Sequence, residues 1–327
     1  MNFNLFKKLS LVIPTNNRPY ALKRVIEYLK SLKFSGQVFV LDSSNKIKKK
    51  NNFYSYYYFP GKNANLKISS ILNKLKTKYT LILADDDLII PEGILQSIKF
   101  LEKKNNFIGA HGLYYNHSIK NLFIFNLFKY LQIRYPFFHS YLNKKISINR
   151  AFDYLDGKYA PLNYAIFKTN FFKKVWKKAT LEKSQDNIFL ETVPCFLFYY
   201  YGSVKCLKIP YLTRERSFRT KPQIEFTDKK GFKLALSFLM RVISNSKVFK
   251  NNNLNILKKK FEYRKNREEQ KMLSSKKNFI LQKIFFRLKN LRFYFIGNKK
   301  FRKDILNKYI LKYYNKVLNE VDNTQMK

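Results

Sequence analysis

The chain has 327 residues, 46% of them hydrophobic and 17% aromatic, which excludes a disordered composition and leaves material for a sizeable core. Two cysteines, Cys195 and Cys206, exclude a disulfide framework or a zinc set and predict a reducing compartment. The 65 Lys and Arg outnumber the 21 Asp and Glu, for a net charge of +44. That excess invites a nucleic-acid or anionic-membrane partner, but the abundance of Lys, Asn, Ile, Phe and Tyr also matches AT-rich codon usage.

The first elements alternate. Leu9 to Ile13 is a short apolar run closed by Pro14, the pattern of a buried strand. Pro19 opens a helix, since its missing N–H costs nothing in a first turn. Leu22, Val25, Ile26, Leu29 and Leu32 follow at helical spacing, and Gly36 ends the segment. Val38 to Leu41 is a second strand, closed by Asp42-Ser43-Ser44. Phe53 to Phe59 reads as a third strand, and Pro60-Gly61 as a turn. Ala64, Ile68, Ile71, Leu72 and Leu75 form one helical stripe. Tyr79 to Ala84 is a strand followed by Asp85-Asp86-Asp87. Pro91 opens a helix, and Phe107 to Tyr115 is a further strand.

Such repetition predicts a three-layer α/β fold with a mostly parallel sheet. Ligands of these sheets bind beyond the carboxyl ends of the strands. Pro14-Thr15-Asn16, Asp42-Ser43-Ser44 and the three aspartates all fall at such ends. Adjacent aspartates repel, so a cation is expected among them, and hard oxygen donors select Mg²⁺ or Mn²⁺. An acidic turn capping the helix at Pro91 is the alternative.

Residues 118–145 read as an insertion, helical in expectation, over one edge of the sheet. Ala165 to Phe167 is a short strand, with a helix from Thr169 to Lys178. Val193 to Tyr201 is apolar all round and stops at Gly202. From Lys229 onward apolar and basic residues mix at helical spacing. Residues 228–327 carry 27 Lys and Arg against 7 Asp and Glu. The division expected is a catalytic domain over 1–220 and a basic, mainly helical extension over 221–327. No uncharged apolar run reaches the roughly 18 residues of a membrane span, and the apolar start is too short for a signal peptide. A soluble or peripheral protein is expected.

Leu11-Val12-Ile13-Pro14-Thr15-Asn16-Asn17-Arg18-Pro19 resembles the opening of bacterial family 2-like glycosyltransferases with the GT-A fold. So does Lys78-Tyr79-Thr80-Leu81-Ile82-Leu83-Ala84-Asp85-Asp86-Asp87 followed by Pro91-Glu92. The resemblance spans roughly residues 9–215. It implies that Pro14, Thr15, Asn16 and Arg18 line a nucleotide pocket, that Asp42 contacts base or ribose, and that the acidic run holds metal and diphosphate. In this register Ala84 replaces the usual first Asp. Asp86 is then the principal metal ligand, with Asp87 beside it and Asp85 turned to the donor. Lys62 or Asn65, before and within the next helix, is expected at the nucleotide, although Lys62 also suits a solvated loop.

An inverting member needs a carboxylate base eleven residues before the Gly that ends a late helix, and Gly202 points back to Glu191. Asp186 is the other candidate. Arg214, Arg216 and Arg219 suit a loop over the diphosphate or plain surface charge. The implied reaction is inverting transfer from a nucleotide-diphosphate sugar to a hydroxyl on a glycan or lipid-linked acceptor, in surface polysaccharide or glycan synthesis. The implied setting is the cytoplasm or the inner face of the plasma membrane, with the extension on anionic lipid. A sugar-phosphate nucleotidyltransferase lacks its Gly-rich opening loop here. A nucleic-acid binder leaves the aspartates unexplained.

Overall fold

The computed structural model describes residues 3–45, 52–117, 119–122, 125–128, 132–134, 147–157, 161–180, 187–215, 229–245 and 252–277. Strand β1 (Leu9–Thr15) leads into α1 (Pro19–Ser31), then β2 (Gln37–Asp42) and β3 (Ser55–Tyr58). Next come α2 (Ala64–Ser70), β4 (Tyr79–Ile82), β5 (Asp87–Ile89), α3 (Pro91–Lys103) and β6 (Phe107–His117). Three short strands follow: β7 (Ile119–Leu122), β8 (Phe125–Phe128) and β9 (Gln132–Arg134). The chain closes with α4 (Ser147–Leu155), β10 (Ile166–Lys168), α5 (Thr169–Ala179), α6 (Asn187–Tyr201), β11 (Ser203–Glu215), α7 (Lys229–Ser244) and α8 (Asn252–Lys277).

The main sheet runs β3-β2-β1-β4-β10-β6-β11-β5, with β9 on β6. Strands β3, β2, β1 and β4 are parallel, and β11 lies parallel to β6. Strands β10 and β5 run antiparallel to their neighbours. The fold is therefore the expected GT-A-like three-layer α/β arrangement with a mostly parallel sheet.

Alternation along the strands divides the core. Leu9, Leu11 and Ile13 of β1 face α1 and α3, in one cluster with Leu22, Val25, Ile94 and Ile98. Val12, Phe39 and Ile82 face the other way, toward α2, α4, α5 and α6. Successive strand residues point to opposite faces, so each central strand serves both cores. Phe167 of β10 and Phe198 of α6 stack at 3.6 Å between ring centroids in the second core.

Two expectations are corrected. The stripe from Ala64 to Leu75 is broken: α2 stops at Ser70 and a single 3-10 turn covers Leu72–Lys74. In the segment expected to be helical, the described parts are strands, a β7–β8 hairpin and β9 paired with β6. Its Phe and Ile residues favour a pleated surface over a helix. The run Asp87-Leu88-Ile89, for which no element was expected, is an edge strand on β11.

Helices α7 and α8 pack on the body. Phe232, Ala235, Phe238 and Leu239 of α7 and Leu257 and Phe261 of α8 share the core of α6. Lys260 pairs with Asp156 at 2.6 Å, Arg264 donates to the Tyr154 carbonyl at 2.9 Å, and Arg267 donates to that of Asp156 at 3.1 Å. Three cations thus meet the carbonyl end of α4, where the helix dipole favours positive charge. Among the described residues no helix is long and apolar enough to cross a membrane.

Candidate functional site

The register of β1 on β2 sets Thr15 beside Asp42 at the carboxyl ends of both strands. Strand β4 flanks β1 on its other side, and the Leu83 N–H bonds the Val12 carbonyl at 2.9 Å, so the aspartates emerge next to Thr15. Asn17 adopts a left-handed φ of 53°, which Asn tolerates better than most residues. Its N–H donates to Ser44 Oγ at 2.8 Å, and its side chain accepts from the Asn45 N–H at 3.0 Å. This laces the β1–α1 turn to the loop after β2.

Arg18 stands just before Pro19, the first residue of α1, and its side chain makes no capping bond. It reaches instead to the acidic run. One terminal nitrogen meets Asp85 at 2.7 Å and the other meets Asp86 at 2.5 Å. Thr15 Oγ1 donates to the second oxygen of Asp85 at 2.6 Å. Burial pushes the Asp85 carboxyl up from its ordinary pKa; the Thr15 bond and the Arg18 charge pull it down and do not fully compensate. Asp86 has a 14% exposed side chain against 5% for Asp85, so Asp86 is the more open to a ligand.

Asp87 turns away from this pair. It is buried in β5 and takes an ion pair from Arg214 Nε at 3.1 Å. Arg214 also donates to the Tyr164 hydroxyl at 3.1 Å, with its guanidinium 4.3 Å from that ring's centroid. Burial raises the Tyr164 pKa first; Arg214 lowers it, while Asp87, Glu191 and Asp86 raise it. Glu191, from α6, therefore lies within electrostatic reach of the phenol that Arg214 links to Asp87. The sequence marked this helix only by the apolar run from Val193 to Tyr201. It begins at Asn187, so Glu191 sits within it as an exposed residue, and Pro194 lies inside without breaking it.

Asp42 is buried and accepts three bonds, from Ser44 N–H at 2.8 Å, Ser44 Oγ at 2.5 Å and Tyr56 OH at 2.9 Å. Pro14 is partly buried and Asn16 exposed on the same turn. Lys62 is exposed, its ammonium 5.1 Å from the Phe59 ring centroid. Asn63 caps α2 by accepting from the Leu66 N–H at 3.0 Å, and Asn65 is buried. Asp186, Arg216 and Arg219 lie outside the described residues. His111 is buried against the Gly112 carbonyl and stacked on Tyr114.

Two members of this neighbourhood escape the sequence reading. Lys67 is buried in α2 and donates to the Thr15 carbonyl at 2.8 Å and Ser43 Oγ at 3.0 Å. Its signal was present: positions 64, 67, 68 and 71 share one helix face, and a lysine there sits in an apolar stripe. Tyr164 carried no such signal.

The fold resembles that of TarS. A crystal structure of S. aureus TarS 1–349 matches with a TM-score of 0.51 at 14% identity, over 84% of this chain and 77% of that one. The complex of S. aureus TarS 1–349 with UDP-GlcNAc matches with a TM-score of 0.53 at 15% identity, over the same shares. No protein-family model matches the sequence, and no curated protein is found to be similar to it.

Among the described residues no group of three or more His, Cys, Asp or Glu is placed to hold a metal alone. Magnesium-type sites at phosphates need less: one or two carboxylates, with diphosphate oxygens and water completing the shell. Asp86 offers one such carboxylate, more open than Asp85 and ion-paired with Arg18.

Proposed function

We propose that the protein is a family 2-like inverting glycosyltransferase that moves a sugar from a nucleotide-diphosphate donor to a hydroxyl acceptor. The observation carrying this reading is the clamp of Thr15, Arg18, Asp85 and Asp86 at the carboxyl ends of β1 and β4, where such sheets bind ligands. The likeness to a fold crystallised with UDP-GlcNAc supports a nucleotide sugar as donor.

In this reading Pro14, Thr15, Asn16, Arg18, Asp42, Asp85 and Lys62 line the donor side. Arg18 offers a forked cation suited to phosphate oxygens and already held against two carboxylates. Asp86 is the carboxylate that would hold Mg²⁺ or Mn²⁺, with Asp87, fixed by Arg214, behind it. The ion, when bound, supplies positive charge against the leaving diphosphate. Glu191 takes the proton of the acceptor hydroxyl as that oxygen attacks the sugar carbon and the bond to the diphosphate breaks. Asp186 is the alternative base. Arg214 and Tyr164 hold Asp87 and so keep the acidic turn in register with α6.

The acceptor is a glycan or lipid-linked alcohol, and the setting is surface glycan synthesis at the cytoplasmic face of a membrane. Residues 1–220 carry the transfer chemistry and 221–327 form the basic extension. Support for a membrane contact is the exposed Lys258 and Lys259 on α8.

The test is thermal stabilisation by a panel of nucleotide sugars with and without Mn²⁺. Binding of the right donor raises the midpoint, and Asp86→Ala removes the metal-dependent part. No shift with any donor contradicts the reading; a shift whose metal dependence survives Asp86→Ala contradicts the ligand assignment.

A further inference from the structure

We propose that Lys67 is a positioning residue for the donor, a buried cation that fixes the end of β1 to the loop after β2 and supplies charge for a nucleoside diphosphate. This rests on the donor reading above and deepens it. Lysines are almost never buried unless paired, and this chain has abundant surface on which to leave them. Lys67 is only 3% exposed, on a helix face with Ile68 and Ile71. Its ammonium donates to two neutral oxygens, the Thr15 carbonyl at 2.8 Å and Ser43 Oγ at 3.0 Å.

The position is specific. The Thr15 carbonyl also accepts the Ser43 N–H at 3.1 Å, while the Thr15 hydroxyl donates to Asp85. Lys67 is therefore one residue behind the Asp85–Arg18 clamp and joins both loops that frame it. The charged groups acting on it are Asp42 from β2 and Asp85 from the turn after β4, with Arg18 beyond Asp85. Helices α5 and α6 meet α2 through the apolar core they share.

A buried ammonium with neutral contacts is costly in the free protein. Burial lowers its pKa to about 8, and the two carboxylates only partly oppose that. An anion arriving at the strand ends offsets the cost, so the charge stabilises the complex more than the free chain. Two consequences follow: donor binding takes up protons in mildly alkaline solution, and removing the charge weakens binding without weakening the fold.

The experiment is calorimetry of the nucleotide sugar that the wild type binds, at about pH 8 in two buffers of different ionisation enthalpy. The wild type is expected to take up a fraction of a proton on binding. Lys67→Met should bind at least about tenfold more weakly, with no uptake. Its unfolding midpoint at neutral pH should be equal to the wild type's or higher, which a merely structural lysine does not predict. Ser43→Ala should lose affinity by less and keep the uptake, and it serves if Lys67→Met does not fold. Binding by the wild type without proton uptake overturns the proposal, as does Lys67→Met with wild-type affinity. A wild type that binds no nucleotide sugar at all overturns the donor reading, and this proposal with it.

Discussion

At the residue scale, the site is an arrangement of charges under tension. Arg18 bridges Asp85 and Asp86, Arg214 holds Asp87, and Lys67 stands behind Thr15. The Asp85 carboxyl has a raised pKa in the folded chain. Between its ordinary value of 3.8 and that raised value the native state binds more protons than the unfolded one, so stability falls as pH rises through the window. Asp85→Asn should therefore lose this pH dependence and equal or exceed the wild type's unfolding midpoint at neutral pH, while donor affinity drops. A lower midpoint with the same pH slope contradicts the assignment. Arg18→Met should act oppositely on stability, because it leaves Asp85 buried beside Asp86 without their shared cation. The expected loss is about 1 kcal/mol by denaturant titration, kept small by the half-open setting of Arg18.

At the element scale, the strand ends carry the site and α3 fixes them. A Cβ on Gly93 would lie 2.0 Å from the Pro210 carbonyl oxygen and 2.7 Å from Tyr211 Cα, both backbone atoms that cannot swing away. Gly93→Ala should push α3 off β11, costing about 1–3 kcal/mol, and loosen β5 with Asp87. An unchanged unfolding midpoint contradicts that packing. This scale also shows what the sequence made legible. Pro19 and Pro91 announce α1 and α3, and the apolar runs before Thr15, Asp42 and Asp85 announce β1, β2 and β4, because local residue chemistry decides those ends. Strand β5 and the pairing of β10 between β4 and β6 were hidden, since they depend on which distant strand is alongside. Helix α4 was missed, although Ile148, Ala151, Phe152 and Leu155 carry its period, because it follows a segment without helical periodicity. The clamp itself was legible as a set of residue types. Its pairing was not: nothing in one sequence says that Arg18 takes Asp85 and Asp86 while Arg214 takes Asp87.

At the scale of the whole molecule, one sheet carries two cores, and α7 and α8 complete the second. Deleting the basic extension would remove Phe232, Phe238, Leu257 and Phe261 and expose the apolar face of α4 and α6 that they cover, so a membrane role is better tested by surface charge. Lys258→Glu with Lys259→Glu should leave the unfolding free energy within about 0.5 kcal/mol of the wild type and reduce sedimentation with anionic liposomes. Undiminished sedimentation contradicts a contact through α8. Glu191 of α6 lies within electrostatic reach of Tyr164, as Asp86 and Asp87 do. The most direct measurement is release of nucleoside diphosphate from the stabilising nucleotide sugar in the presence of a hydroxyl acceptor, followed for wild type and Glu191→Gln. The account predicts turnover by the wild type, and donor binding with turnover reduced by about a thousandfold or more in the variant. Wild-type turnover in Glu191→Gln would contradict its role as base, and no release by the wild type from any donor it binds would contradict the glycosyltransferase reading as a whole.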